Sequence, residues 1–167
     1  MGSFHLVNPH LKGNWGRYLA QSMLAVFAML MVLLFIDSVE DAALVAGLAS
    51  TVVTAFLHPK APSGRLRAIV GGHACGLMVG SALALVFINY ELIAFSIIYF
   101  DIIIMAAAVG GAILVMGLTD TEHPPAAGIA LGMAGRPWEL SIFLYILIAV
   151  LILALIRFVF YKVIKEI

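Results

Sequence analysis

The chain has 167 residues, of which 64% are hydrophobic and only 11% charged, with zero net charge and a mean hydropathy of +1.15. Soluble domains carry about 25% charged residues, so a water-soluble globular fold is excluded. The composition is that of an all-α, polytopic transmembrane helical bundle, because lipid demands that every backbone polar group be paired within the chain. The single cysteine, Cys75, lies in an apolar run and rules out an intrachain disulfide.

Residues 1–17 form a polar leader with Lys12 and Arg17, and Trp15 suits an interfacial anchor. Met1-Gly2-Ser3 is not a myristoylation signal, since Leu6 stands where serine or threonine is needed. The first apolar run, 18–36, is long enough to remain as an anchor, with no cleavage pattern after it. No Arg- and Ser-rich transit peptide precedes it, which points to the plasma (inner) membrane of a bacterium. The acidic loop Asp37-Ser38-Val39-Glu40-Asp41 follows, then a shorter apolar run at 42–57 in which Ala43, Gly47 and Thr51 make a stripe at four-residue spacing. His58, Lys60, Arg65 and Arg67 make the next loop basic. The third run, 68–88, carries Gly72, Gly76 and Gly80 four apart, a pattern that lets membrane helices pack at close range and suits homo-oligomer contacts. After Asn89-Tyr90-Glu91, residues 92–118 are apolar except for Asp101. Residues 119–128, Thr-Asp-Thr-Glu-His-Pro-Pro-Ala-Ala-Gly, then break the pattern, and the last clear span is 140–156, followed by Arg157, Lys162 and Lys165.

Cytoplasmic loops collect lysine and arginine. With the N-terminus inside, a single helix over 92–118, a cytoplasmic His-Pro-Pro loop and a re-entrant 126–134 segment give five passages and leave Arg157, Lys162 and Lys165 outside. Splitting the long run near Gly110-Gly111, so that 92–109 descends and 112–134 returns, gives six passages and places every basic residue except Arg136 in the cytoplasm. The six-passage arrangement is preferred. It puts the His-Pro-Pro break near the bilayer centre, inside an interrupted helix.

Two adjacent prolines cannot continue a helix but suit its first turn. Pro124 and Pro125 therefore open a half-helix, whose free N–H groups and positive dipole end offer an anion site near Ala126. His123 is placed to contact a ligand or carry a proton. Thr119, Asp120 and Thr121 serve as helix caps, substrate contacts or both, and Glu122 is a second acid beside them. Asp101 lies mid-span, where a charge costs about 2.5–3.5 kcal/mol, and His73 is its expected partner, as a structural hydrogen bond or a proton relay. Thr54, His58, Pro59 and Ala61 align with Thr119, His123, Pro124 and Ala126, a weak hint of an inverted repeat.

His123-Pro124-Pro125-Ala126, together with Phe56, Pro59, Pro62, Arg65 or Arg67, Gly71-Gly72-His73 and Gly80, resembles the HPP family of integral membrane proteins over most of the chain. Ser63-Gly64 separate Pro62 from Arg65 where the family tends to place proline directly before arginine, so either Arg65 or Arg67 is the match. The resemblance implies an HPP-type transmembrane domain over 18–161, with a cytoplasmic leader at 1–17 and a short cytoplasmic tail at 162–167. Members in cyanobacteria and plastids look like nitrite transporters, so the implied function is transport of a small inorganic anion, nitrite first, by carrier or channel.

The expected substrate site is therefore His123, Pro124, Pro125, Thr119, Thr121, Asp120, Glu122 and Ala126, with Asp101 and His73 on the ion pathway and His58, Lys60, Arg65 and Arg67 at the cytoplasmic mouth. The expected partners are the anion, the lipid bilayer and further copies of the chain, with no nucleic acid. No His-Glu-x-x-His or Gly-x-Ser-x-Gly pattern occurs, so enzyme activity, catalytic residues, a cofactor and a resident metal are not expected. Two rival readings remain: a cation or metal carrier using Asp101, Asp120, Glu122, His123 and His73, and a structural membrane subunit that transports nothing.

Overall fold

The computed structural model describes residues 14–35, 41–89 and 100–164. Among these, six α-helices follow in order: α1 (Trp15–Phe35), α2 (Ala42–Leu57), α3 (Leu66–Leu83), α4 (Phe100–Thr119), α5 (Pro125–Ala134) and α6 (Leu140–Val159). A π-helical stretch, Ala84–Asn89, extends α3. The α1, α3, α4 and α6 segments are long and apolar enough to cross a membrane, whereas α2 and α5 are shorter. The all-α bundle expected from composition is what the chain forms. The acidic loop 37–40, Lys12, Glu91 and Lys165 lie outside the described residues.

Local chemistry sets the helix ends. Asp41 caps α2, its Oδ1 accepting from the N–H groups of Ala43 and Leu44 at 2.9 and 3.1 Å. At the end of α4, Asp120 takes a left-handed conformation (φ 54°) and the Thr121 N–H reaches back to the Met116 carbonyl at 3.0 Å. This is the Schellman closure, with aspartate in the place glycine usually fills. Arg67 reinforces it from α3, donating to the Thr119 carbonyl at 2.9 Å and pairing with Asp120 at 3.1 Å.

The short helix α5 is the centre of the bundle, with α2, α3 and α4 packed around it. Pro125, Ala126, Ile129, Ala130, Gly132, Met133 and Ala134 are all buried. Glycines make this possible. A Cβ at Gly72 would stand 2.6 Å from the His123 Cβ, one at Gly76 would strike the Ala126 carbonyl oxygen, and one at Gly80 would stand 2.6 Å from the Ala130 carbonyl oxygen. The four-residue glycine stripe of α3 is thus a track on which the α5 backbone lies, in the close-packing role its spacing predicts. On the other side Gly47 of α2 meets Pro125 and Ile129, and Gly132 meets Leu44 and Asp41.

These contacts also fix direction. Residue numbers rise together along α3 and α5 (72 with 123, 76 with 126, 80 with 130) and oppositely along α2 and α5. α4 runs against α3, Gly111 facing Val79 and Met116 facing Gly72. Gln21 near the start of α1 donates to the Phe56 carbonyl at the end of α2, and Arg157 near the end of α6 donates to the Pro59 carbonyl. Among the described residues the chain therefore runs end to end six times, the fifth traverse being residues 121–124 followed by α5. Arg17, Lys60, Arg65, Arg67, Arg157 and Lys162 gather at one end, and Arg136 lies at the other.

Two expectations are corrected. The run 92–118 does not divide at Gly110-Gly111, and 112–134 is not a single passage interrupted near its middle: α4 continues through both glycines to Thr119 at the basic end, and α5 runs back from there in the opposite direction. Opening a helix inside lipid strands carbonyl and N–H groups at several kcal/mol each, and nothing polar near Gly110 would take them. The even number of traverses survives because the His-Pro-Pro segment and α5 complete the return, ending beside Asp41 and not at the end from which they start. The suggested inverted repeat also fails. Residues 54–61 close α2 and 119–126 close α4, two helices that run in the same direction.

The glycine track gives a direct stability test. Gly76→Val drives a side chain into the Ala126 carbonyl and is expected to cost about 1–3 kcal/mol or more, read as a lower Tm of the purified protein. Gly110→Ala, whose Cβ meets nothing within 4 Å, should stay within about 1 kcal/mol of the parent.

Candidate functional site

Three buried polar side chains meet where α2, α3 and the His-Pro-Pro segment converge. Thr51, His73 and His123 are each 0% exposed. The Thr51 hydroxyl lies 3.1 Å from His73 Nε2, 3.2 Å from His123 Nε2 and 2.9 Å from the Gly47 carbonyl of its own helix. The far side of each ring is anchored to a carbonyl, His73 Nδ1 to Ile69 at 2.8 Å and His123 Nδ1 to Ser63 at 2.7 Å. The rings are tilted by 44° with centroids 4.9 Å apart. Helix geometry explains His73, because Nδ1 of a helical histidine reaches the carbonyl four residues back. His123 is held from outside its own segment, by the turn that joins α2 to α3.

A second polar cluster adjoins the first. The Thr119 and Thr121 hydroxyls are 2.7 Å apart, Thr119 also donates to the Val115 carbonyl at 2.8 Å, and Cys75 Sγ lies 3.8 and 3.7 Å from the two hydroxyls. Beside it, Ile113, Met116, Glu122, His123, Pro124 and Ala127 line a cleft of about 280 Å³. On the α2 side of the same break, Ala43, Ala46, Gly47, Ser50, Pro124, Pro125, Gly128 and Leu131 line a shallower groove.

The expected site residues do not all converge. Glu122, His123 and Pro124 share the cleft, while Pro125 faces the α2 groove and Ala126 packs on Gly76. Asp120 is 89% exposed and committed to Arg67. Thr119 and Thr121 do not cap α5, whose N-cap is Pro124 with no side-chain bond. Nor does α5 present free amides to an anion. The prolines remove two N–H groups, and the next two, of Ala126 and Ala127, already bond to the His123 and Pro124 carbonyls at 2.9 and 3.0 Å. The expectation of free donors counted what the prolines leave over and missed the tight turn they start.

Asp101 is exposed in the first turn of α4. With α4 antiparallel to α3, it lies roughly 20 Å along the bundle from His73 at 1.5 Å per residue, and His73 bonds to Thr51 and Ile69 instead. The expected Asp101–His73 pair is not formed. Asp101 and Asp120 stand at opposite ends of α4, so the acids proposed for a cation carrier do not meet, and among the described residues no group of three or more His, Cys, Asp or Glu is placed to hold a metal ion. His58, Lys60, Arg65 and Arg67 do share the basic end, and of the two candidate arginines it is Arg67 that engages the motif. The Ser63-Gly64 insertion has a structural use: Ser63 holds His123 by its carbonyl, and Gly64 packs against the His58 carbonyl.

Sequence reasoning missed Thr51 and Ser63 as site residues. Thr51 reads as one more small residue on a packing stripe, and Ser63 contributes only its backbone. His123→Ala should unpair the partly buried Ser63 carbonyl and leave a cavity, costing about 2–4 kcal/mol. Arg67→Ala, which removes an exposed pair, should cost less than about 1 kcal/mol. Chemical or thermal unfolding of the two variants in one detergent measures the contrast.

No curated protein and no solved structure matches this chain in the comparisons made. The profile of the HPP transmembrane region matches residues 11–167, nearly the whole chain. It covers the glycine track, the buried histidines and the double proline together, and the chain belongs to the HPP family of transmembrane proteins.

Proposed function

We propose that this HPP-family chain is a transporter or channel for a small inorganic anion, with nitrite, the substrate the family resemblance implies, as the first candidate. The observation that carries the reading is the short helix that opens at Pro124-Pro125, enclosed by α2, α3 and α4 and flanked beside His123 by a cleft large enough for such an ion. Secondary transporters likewise aim the N-termini of short helices at their substrate sites. The positive end of the α5 dipole borders the cleft at Pro124 and Ala127, although its amides are internally bonded.

Charge placement supports an anion. Lys60, Arg65, Arg67 and Arg157 gather at the end of the bundle where the His-Pro-Pro segment begins, and a basic rim raises the local anion concentration. Asp120 is turned away to Arg67, which removes one of the two acids of the motif from the cleft. Glu122 remains at the cleft wall, so the anion travels with a proton or as its neutral acid. The same basic end is the cytoplasmic one by the positive-inside rule, which puts both termini in the cytoplasm of a bacterial plasma membrane.

Uptake of isotopically labelled nitrite into proteoliposomes tests the reading. Wild-type protein is expected to accelerate flux over empty vesicles, and His123→Ala to reduce it at least about ten-fold, about 1.4 kcal/mol in the rate-limiting step. Undiminished flux in the variant removes His123 from the pathway. A wild type inert towards nitrite, formate and bicarbonate leaves the structural-subunit reading in possession. For topology, reporter fusions after Ile167 should be active in the cytoplasm, and a periplasmic signal overturns the orientation.

A further inference from the structure

We infer that His73, Thr51 and His123 form a binding site for one proton, shared between the two imidazoles through the threonine hydroxyl. The inference goes beyond the transport reading and follows from counting hydrogens. A carbonyl oxygen only accepts, so the Ile69 and Ser63 carbonyls require a hydrogen on Nδ1 of His73 and of His123. In a neutral imidazole the other nitrogen is then bare, and both Nε2 atoms point at the same hydroxyl oxygen. The third neighbour of that hydroxyl, the Gly47 carbonyl, is also an acceptor. Three acceptors thus surround one hydrogen.

With both rings neutral, only one acceptor is satisfied. At least one imidazole lone pair faces an oxygen lone pair in a fully buried place, where an unpaired polar atom is costly. One added proton resolves the conflict for both rings. The protonated ring donates from Nε2 to Oγ1, and Oγ1 donates its own hydrogen to the other Nε2. A second proton would place two imidazolium rings with centroids 4.9 Å apart, and like charges at that range oppose it.

The two singly protonated forms interconvert by a balanced shift. The hydrogen on the first Nε2 passes to Oγ1 as the hydroxyl hydrogen passes to the second Nε2. Charge moves from one ring to the other, no bond is broken elsewhere, and only the hydroxyl reverses direction. Because His123 forms part of the cleft wall and His73 does not, the shift carries a positive charge towards or away from the cleft.

The charged groups on the surrounding elements are engaged elsewhere or lie exposed. Arg67 of α3 is paired with Asp120 and both are exposed, Glu122 is exposed at the cleft, His58 at the end of α2 is exposed, and Arg157 of α6 bonds to Pro59. Cys75 of α3 faces the Thr119 and Thr121 hydroxyls. Glu122 shares the cleft wall with His123, so within the cleft its carboxylate or an entering anion is the counter-charge for the proton.

The test reads protonation and needs no flux. Full-length protein labelled with 15N-histidine is examined in lipid bilayers by solid-state NMR from about pH 9 to pH 4, around the ordinary histidine range. His73→Gln and His123→Gln assign the two rings among the five histidines. The expected result is that both Nε2 signals move together from the bare towards the protonated position, each by about half, with one common midpoint and one proton taken up. Thr51→Ser should keep this joint behaviour, and Thr51→Val should split it into two separate responses. Titration of one ring alone in the wild type, uptake of two protons, no uptake over the range, or joint behaviour unchanged in Thr51→Val overturns the proposal. So does a shift of both signals on adding zinc at constant pH, which would assign the pair to a metal. A protein that passes this test yet moves no nitrite would retain the proton site and lose only the transport reading.

Discussion

Everything at the centre of this bundle depends on how closely the α5 backbone approaches α3. Side chains are excluded along Gly72, Gly76 and Gly80, so the carbonyls of Ala126 and Ala130 rest almost on the glycine Cα atoms. In lipid there is no hydrophobic drive to hold helices together, and tight van der Waals contact of this kind takes its place. A ten-residue helix is too short to span a membrane and has little side-chain surface of its own to hold it. It keeps its position because three helices grip it along its backbone and small side chains.

The same approach makes the polar site. Bringing α5 onto α3 places His123 against Gly72 and beside His73, and bringing α2 onto α5 through Gly47 delivers Thr51 one turn further along α2. The double proline contributes by stopping α4 from running on into α5. The segment between them is then free to turn its threonines towards α3 and its histidine inward. Polar atoms near the break are accounted for locally: Thr121 N–H and the Thr119 hydroxyl return to α4 carbonyls, Arg67 takes the Thr119 carbonyl, and the first two amides of α5 close on His123 and Pro124. The Thr51–His73–His123 trio differs, since its acceptors outnumber its hydrogens.

This arrangement separates two roles that the motif combines in sequence. The acidic residue Asp120 is a helix terminator held by Arg67 at the basic end, and Thr119 and Thr121 knit the end of α4 to α3. His123 alone of the polar residues in 119–123 is fully buried and joined to other helices through both ring nitrogens. The prolines matter for the path they impose and less for any amide they leave unpaired.

Composition and hydropathy by themselves determined the all-helical membrane class, and the α1, α2, α3 and α6 segments were legible within a few residues, because long apolar runs bounded by charge have few other fates. Glycine spacing correctly announced close packing on α3. The even number of traverses was also readable, from the asymmetry of basic residues, although the wrong glycines were chosen to achieve it. Only the tertiary structure decided that α4 runs unbroken through Gly110-Gly111, that Asp101 and His73 lie far apart, and that Thr51 joins the two histidines. Local patterns report what a segment can form. Which polar atoms meet in the interior depends on the crossing of helices distant in sequence, and on a backbone carbonyl, Ser63, whose partner no side-chain pattern could reveal.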